Sequence, residues 1–302
     1  MLLILRTKRH LSGKMKQFNK KVSAHLKKDN VNFSFSSFED AEVFMETNDI
    51  HALIDGKSLS TWKTIFARKV GGYRGMAFIL ATLSQKNKTL FLDNFHTRDK
   101  DSSDAAKIIQ MFRFAQNGIP IPKTYYAVSF SKKQLRNAVK FLGFPLIVKR
   151  CNTSQGAGVF MAKNFKELET MIEKISSDNL KGDTFFQEFL PNDFEYRIFV
   201  TGNEVGAAEK KIRTKRNEFR NNVFLGAREE FIDISTVKKS ILSIAIKAST
   251  ISGIQISGVD VIESNGKPVV FEANSCPGLT LDEKISPEIK SLSDYLKKCE
   301  RR

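Results

Sequence analysis

Two carboxylates set inside otherwise apolar strands constrain this chain more than any other feature. Asp260 stands within Gly258-Val-Asp-Val-Ile262, and Glu272 within Val269-Val-Phe-Glu-Ala-Asn274. Flanked by Val259, Val261, Val270 and Phe271, these charges read as half buried, and a buried carboxylate needs a compensating partner. Side chains at i and i+2 of a strand share a face, so Glu272 and Asn274 are co-directed. The turn decides whether Asp260 joins them. A two-residue Asn265-Gly266 loop would set Asp260 opposite Phe271, whereas a three-residue loop, Asn265–Lys267, sets it opposite Glu272. Pro268 has no N–H for a ladder bond, which favours the longer loop. Two carboxylates and a carboxamide on one face are hard oxygen donors suited to Mg²⁺ that also holds phosphates. The alternative is a set of ordinary exposed strand residues.

The 302 residues are 41% apolar and 27% charged, a globular rather than a disordered composition. The longest apolar runs have strand length, so no membrane span is expected. Leu2–Leu5 is too short for a signal-peptide core, and basic residues follow it rather than precede it. Cys151, Cys276 and Cys299 lack CxxC spacing, which fits a reducing compartment without structural zinc. A cytoplasmic location is expected, with Cys276 as a packing thiol. The net charge of +16 is unevenly placed. Residues 1–28 carry Arg6, Lys8, Arg9, Lys14, Lys16, Lys20, Lys21, Lys27 and Lys28 with no acid. Residues 210–220 add Lys210, Lys211, Arg213, Lys215, Arg216 and Arg220 against Glu218 alone. Such patches attract nucleic acid, anionic lipid or small anions, or simply form a solvated face.

Along the chain, strand and helix signals first alternate. Leu2–Leu5 reads as a strand. Leu11, Met15, Phe18, Val22 and Leu26 follow at helical spacing, which puts the neighbouring lysines on a wet face. Val31–Phe35 is a second strand. Phe38–Met45 is a helix capped by Ser36 or Ser37, and Ile50–Ile54 is a third strand. A helix near Met76–Leu83 and a strand Thr89–Leu92 complete a small Rossmann-like layer with a parallel sheet, lacking GxGxxG. Asp101–Gln116 is helical, and Gly118-Ile-Pro-Ile-Pro122 opens a second region. That region reads strand Lys123–Val128, helix Lys132–Leu142, strand Pro145–Lys149, a turn Thr153–Gly158, strand Val159–Ala162 and helix Phe165–Ile175. Strands Phe185–Leu190, Glu195–Thr201 and Val205–Ile212, helix Thr236–Ile251 and strands Ile256–Glu263 and Pro268–Ala273 then make a mainly β region. The fold class is α/β followed by α+β.

Two further constellations accompany the hairpin. Lys149 ends an apolar strand before Thr153-Ser-Gln-Gly-Ala-Gly-Val159, where small residues let backbone N–H groups close over phosphates. The loop is equally a plain turn, and it is not a P-loop. Phe185-Phe-Gln-Glu-Phe-Leu190, Asp193-Phe-Glu-Tyr-Arg197 and Glu218-Phe-Arg-Asn-Asn222 place charges among apolar residues. Their arginines face either anionic ligands or internal partners, as Glu195–Arg197 or Glu218–Arg220 pairs.

Together with Phe271-Glu-Ala-Asn-Ser-Cys-Pro-Gly278, these residues resemble the ATP-grasp superfamily, in particular the branch of ribosomal-protein-S6 glutamate ligases. The resemblance runs over roughly residues 100–285. It implies a pre-ATP-grasp domain at 1–98, a central lid subdomain with its preceding helix at 99–186, and a C-terminal subdomain carrying the metal site at 187–302. It further implies that Lys107 and Lys149 contact ATP phosphates beneath a flap containing Ser154, Gln155, Gly156 and Gly158. Gln187, Glu188 and Phe189 would lie along the adenine, and Glu195, usually Asp in this branch, would bond the ribose. Arg220 and Lys149 would serve the transferring phosphoryl group. Asp260, Glu272 and Asn274 would hold two Mg²⁺ ions, or Mn²⁺. Arg197, Lys210, Lys211, Arg213 and Asn222 would meet substrate, although Glu209-Lys-Lys-Ile-Arg213 follows Ala207-Ala208 where the family often places a single Arg after its Ala-Ala. The implied activity joins a carboxylate to an amine, plausibly adding glutamate to a peptide, protein or small-molecule acceptor. No membrane partner is implied, and an oligomer is compatible. The alternatives are a peptide-crosslinking ATP-grasp ligase and a basic nucleic-acid-binding protein. The second is disfavoured because the 11–28 helix offers only Phe18 for base stacking.

Overall fold

The computed structural model describes residues 1–7, 13–46, 49–98, 107–127, 130–151, 158–177, 184–215, 218–221 and 226–301, without the side chains of Asp49 and Arg98. The N-terminal layer contains β1 (Leu2–Arg6), α1 (Gly13–Lys28), β2 (Phe33–Ser37), β3 (Ala41–Glu46), β4 (Asp49–Ile54) and β5 (Lys57–Ser58). It continues with β6 (Thr64–Ala67), α2 (Arg74–Lys86), β7 (Leu90–Leu92) and α3 (Phe95–Arg98). A parallel sheet runs in the order β2-β1-β6-β7. Leu2 and Ile4 of β1 face α1, while Leu3 and Leu5 face the α2 side, so the strand is apolar throughout. Helix α1 buries Met15, Phe18, Val22 and Leu26 and leaves Lys14, Lys16, Lys20, Lys27 and Lys28 exposed, as its periodicity requires.

Three expectations for this layer need correction. Phe38–Met45 is not a helix: a single 3-10 turn, Phe38–Asp40, leads into β3. Ser37 makes no capping bond and instead donates to Asp40 Oδ2 at 2.6 Å. The strand at 50–54 belongs not to the parallel sheet but to a separate antiparallel sheet, β3-β4-β5. Pairing with β4 decides the outcome, since strand preference depends on cross-strand neighbours more than on local sequence. The third parallel strand is β6, a four-residue run that the sequence pattern passed over. The second strand also begins at Phe33 rather than Val31.

The middle region comprises α4 (Lys107–Gln116), β8 (Thr124–Tyr126), α5 (Lys132–Leu142), β9 (Leu146–Arg150), β10 (Val159–Ala162), α6 (Phe165–Ser177) and β11 (Thr184–Glu188). The first residues of the helix expected at 101–116 lie outside the described residues. Helix α5 starts at a capping box formed by Ser131 and Gln134 and stops at Gly143, whose φ is +76°. The antiparallel sheet β10-β9-β11-β8 packs one face on α5 and α6 through Leu146, Val148, Phe186, Leu135 and Leu168.

The C-terminal region holds β12 (Phe194–Thr201), β13 (Glu204–Ile212), β14 (Arg228–Ile232), α7 (Lys239–Ser252), β15 (Ile256–Ser264), β16 (Lys267–Asn274) and α8 (Glu288–Arg301). Neither β14 nor α8 was expected. The antiparallel order is β14-β13-β12-β15-β16. One face meets α7 through Ile198, Ala208 and Val259. On the other face, Phe199, Ala207 and Ile256 join the core built by α1, α8 and β1. Gly206 permits this contact, because an added Cβ would stand 1.9 Å from Ser291 Oγ of α8. Packing therefore seals one end of this face, and its charged residues occupy the rest.

Candidate active site

The β15–β16 hairpin turns through Asn265 (φ +50°) and Gly266 (φ +74°), with Ser264 opposite Lys267. The loop thus has two residues, not the three expected. Asp260 nevertheless stands opposite Glu272, because a β-bulge shifts the register between Asp260 and Val261 and takes up Phe271. Pairing carries the same row across the sheet, so Glu209, Arg197, Asp260 and Glu272 lie side by side on successive strands. The adjacent row on that face places Glu195 opposite Lys211.

The row is a network of desolvated charges. Arg197 donates to both oxygens of Asp260, from Nε at 2.8 Å and Nη2 at 2.7 Å. Lys211 Nζ bridges Asp260 Oδ1 at 3.0 Å and Glu195 Oε1 at 3.2 Å. Lys107, the first described residue of α4, reaches Glu272 Oε2 at 3.0 Å, and Asn274 Nδ2 donates to Glu272 Oε1 at 2.8 Å. Lys149 of β9 lies over the Phe271 ring, its Nζ 5.2 Å from the centroid. Residues from four strands of one sheet, a neighbouring sheet and α4 thus converge.

Burial and charge pull these groups in opposite directions. Burial opposes ionisation of Glu272, but the Lys107 charge and the Asn274 hydrogen bond outweigh it and hold Glu272 well below the usual carboxylate range. Glu272 in turn raises Lys107. Arg197 and Lys211 are raised despite burial, chiefly by Asp260. Burial dominates elsewhere: it lowers Lys149 to about 8 and raises Glu195 to about 7. Glu209, 4% exposed, is pushed by burial to about 8 against the pull of Arg197, and no hydrogen bond to its carboxylate occurs among the described residues.

The Glu209 environment has a testable consequence. Between pH 4.5 and about 8 the folded chain retains a proton that the unfolded chain has released, so stability falls as pH rises through that window. Glu209→Gln is expected to raise Tm above pH 8 and to leave it nearly unchanged below about pH 4.5. Melting curves of both proteins across that range check this; a gain independent of pH would contradict it.

The remaining expected residues occupy other positions. Arg220 grips Glu218 with Nε and Nη2, each at 2.7 Å, and reaches the Val159 carbonyl with Nη1 at 3.4 Å. Those bonds hold Glu218 down at about 2. Arg213 donates to the Asn192 and Phe219 carbonyls at 2.6 and 3.3 Å. Lys210 points to the opposite sheet face, over Phe194 and Tyr196 at 4.7 and 6.0 Å, because strand alternation separates it from Lys211. Gln187 donates to Thr124 Oγ1 at 2.9 Å. Glu188 Oε1 accepts from the Lys123 amide at 2.8 Å, and Phe189 meets Phe219 edge to face. Gly158 accepts from the Arg150 amide at 2.8 Å. Ser154, Gln155, Gly156 and Asn222 lie outside the described residues. A cleft of about 1090 Å³ separates β10 and α6 from residues 212–215 and 218–220; Arg213 and Arg220 line it, whereas Asp260 and Glu272 do not. Cys276 is exposed rather than packed, and it is Cys151 and Cys299 that are buried.

Glu209 escaped the sequence reading as a site residue, and the only signal was an acid where the alternation of β13 turns inward. Arg197 was noticed, but its partner is Asp260 rather than Glu195.

Residues 102–291 match the RimK-like ATP-grasp domain. A probable alpha-L-glutamate ligase of Vibrio atlanticus is 34% identical over 186 residues, 61% of this chain and 58% of that protein. The chain therefore matches less than two thirds of that relative's length. Among solved structures, the ATP-grasp ligase PsnB complexed with precursor peptide PsnA2 and AMPPNP has a TM-score of 0.72 at 15% identity, covering 100% of this chain and 98% of that one. The D-alanine–D-alanine ligase from Bacillus anthracis has a TM-score of 0.65 at 15% identity, with 100% and 98% covered. These two likenesses establish an ATP-grasp fold over the whole length. With the domain match spanning more than half of its residues, the chain belongs to the RimK-like ATP-grasp family.

Proposed function

We propose that the protein is an ATP-dependent carboxylate–amine ligase that adds an amino acid, glutamate foremost, to a peptide, protein or small amino-acid acceptor. One observation carries this reading: the bulge that sets Asp260 opposite Glu272 within reach of Lys107, Lys149, Arg197 and Lys211. Four cations stand against four carboxylates, Glu195, Glu209, Asp260 and Glu272; with Glu209 pushed by burial to about 8 and so protonated at neutral pH, a small positive excess remains, which suits ATP accompanied by divalent ions. The donor set also fits Mg²⁺. Asp260, Glu272 and the Asn274 carboxamide are hard oxygen ligands, and Mg²⁺ takes one or two carboxylates plus phosphate oxygens. Bound there, Mg²⁺ or Mn²⁺ would neutralise charge on the nucleotide phosphates.

In the reaction, a substrate carboxylate oxygen attacks the γ-phosphorus of ATP, the bond to the β-phosphate oxygen breaks, and an acyl phosphate and ADP result. The acceptor amine then attacks the carbonyl, loses a proton, and phosphate departs. The protein's part is positioning and charge neutralisation. Lys107 and Lys149 would hold phosphates beneath the loop of Ser154, Gln155, Gly156 and Gly158. Gln187, Glu188 and Phe189 would border the base, Glu195 the ribose, and Arg220 the transferring group. For Arg220 to do so, its pair with Glu218 must open. Arg197, Lys211, Arg213 and Asn222 remain candidates for substrate contact, whereas the outward course of Lys210 argues against it.

A screen of ADP release over amino acids and peptide acceptors, with products weighed by mass spectrometry, tests the reading. A product heavier than the acceptor by one amino-acid residue is expected. The likeness in fold to PsnB complexed with its precursor peptide and to the macrocyclase MdnC bound with precursor peptide MdnA supports peptide crosslinking as the second reading, and that would appear as loss of water without an added residue. Steeply salt-dependent nucleic-acid binding with no ADP release would overturn both. None of the described helices is long and apolar enough to cross a membrane; a cytoplasmic site of action is part of the proposal.

A further inference from the structure

At the carboxyl ends of the parallel strands, the N-terminal layer gathers hydrogen-bond donors that have no acceptor among the described residues. Arg68 follows β6 and is 6% exposed, yet its Nε and Nη1 have no partner among the described residues. The same holds for Arg6 Nη1 at the end of β1, for Thr7 Oγ1 and for Ser36 Oγ, with Thr7 3% and Ser36 9% exposed. Buried donors left unpaired are costly, and native proteins rarely collect several in one place without a ligand.

Register makes the arrangement specific. Leu2 to Leu5 pair with Thr64 to Ala67, and the Arg68 amide donates to the Leu5 carbonyl at 2.8 Å. Extending the ladder by one step puts Arg6 beside Arg68 on the same face, on strands about 5 Å apart. Each guanidinium lies over an aromatic ring: Arg6 over Phe35 at 5.1 Å and Arg68 over Phe18 at 4.9 Å. Neither is ion-paired among the described residues. Asp93 feels the Arg68 charge, but its Oδ1 accepts from the Gln255 and Ile256 amides at 2.7 and 3.1 Å. Burial lowers the Arg6 pKa.

Topology singles out the same place. In the order β2-β1-β6-β7 the winding direction reverses between β1 and β6. In open parallel sheets, ligands settle in the crevice beyond the carboxyl ends at such a reversal. The crevice also adjoins the charged row, since Arg68 Nη2 donates to the Pro277 carbonyl at 3.0 Å. Pro277 is three residues past Asn274, at most about 11 Å of extended chain. Gly258 lets the Pro277 loop close there, because an added Cβ would come within 2.9 Å of Pro277 Cβ.

We infer that Arg6 and Arg68, with Thr7 and Ser36, form a binding site for a carboxylate of the amino-acid or peptide substrate. Planar guanidinium forks match a carboxylate in two-point contact, and the crevice lies one short substrate's length from the metal-ligand strand. The assignment rests on the ligase reading for the substrate's identity, whereas the anion preference of the crevice is measurable without catalysis.

The test uses the full chain and its thermal unfolding. L-glutamate and the tripeptide Ala-Ala-Glu serve as free and peptide-borne carboxylate probes, with L-glutamine amide, which keeps the ammonium group, as the carboxylate-free control and inorganic phosphate as the competing anion. At least one carboxylate probe is expected to raise the wild-type Tm while the control does not, and the better of the two names the source. Arg6→Met is expected to raise the ligand-free Tm by removing one of two like charges. It should also weaken the carboxylate response by about tenfold or more, the loss of one charge-assisted hydrogen bond. Arg68→Lys keeps the charge, loses the fork, and should weaken the same response. The Mg²⁺·AMPPNP response should survive in Arg6→Met. The inference is overturned by a wild type that ignores both carboxylates, by phosphate acting at lower concentration, by unaltered responses in both variants, or by a lower ligand-free Tm in Arg6→Met. A wild type that ignores Mg²⁺·AMPPNP while binding carboxylate sinks the ligase reading instead.

Discussion

Replacing Asp260 with alanine is expected to destabilise the protein by about 3–5 kcal/mol, because it strands the buried Arg197 guanidinium rather than merely deleting a contact. Asp260 accepts from Arg197 at two points and from Lys211 at a third, and the three side chains are 6%, 17% and 4% exposed. At that depth solvent screens little, and removal of the acid leaves Arg197 without its two-point partner and Lys211 with Glu195 alone. A fall in Tm of roughly 5–10 °C follows for a chain of this size. Arg197→Met alone should cost less, since Asp260 would keep Lys211. The double variant should be less destabilised than the sum of the two single changes, because the arginine it removes is the charge most exposed by loss of Asp260. Urea midpoints for the four proteins of this cycle measure the coupling. Strict additivity, or an Asp260→Ala protein as stable as its parent, would mean that water replaces the carboxylate without penalty and that the network is not dry.

The contrast between what was legible in the sequence and what was not has a single physical root. Helix α5 follows directly from Ser131-x-x-Gln134 and Gly143, because caps and stop signals act within a few residues. Helix α1 follows from its apolar stripe. Segment 38–45 carries similar apolar spacing but becomes 3-10 turn and strand, since its conformation is set by pairing with β4. The site divides in the same way. Asp260 and Glu272 were visible as charges in apolar strands, and their opposition was expected. The device that produces it, a bulge at Phe271 behind a two-residue turn, leaves no mark in the residue pattern. The Arg197–Asp260 pair joins residues 63 apart in the chain, and only sheet order brings them together. Of the donors at the ends of β1 and β6, Arg6 was seen only as part of a basic run and Arg68 not at all, because β6 itself was not anticipated.

Lys149→Met is expected to move activity and stability in opposite directions, which separates a functional lysine from a structural one. Burial lowers the ammonium to about 8, and neighbouring Lys107 adds to that depression while Glu272 resists it. A lysine whose folded pKa lies below its unfolded value of 10.5 is disfavoured in charged form by the fold. Between about pH 8 and 10.5 the unfolded chain binds more protons, so stability rises with pH across that window and the penalty is present in full below it. Methionine, of similar length and without charge, should therefore raise Tm at pH 7. If Lys149 holds a nucleotide phosphate, the same change should lower kcat/KM for ATP by about 10²–10³, the size seen when one preorganised charge donor is lost. The free enzyme's kcat/KM profile should also fall above pH 8 as the ammonium deprotonates, and Lys149→Arg should shift that limb upward. A Tm that drops with unchanged ATP kinetics would make Lys149 a packing residue over Phe271. A Tm that rises while ATP use collapses would show that the fold tolerates a desolvated charge at this position for the sake of the phosphate it meets.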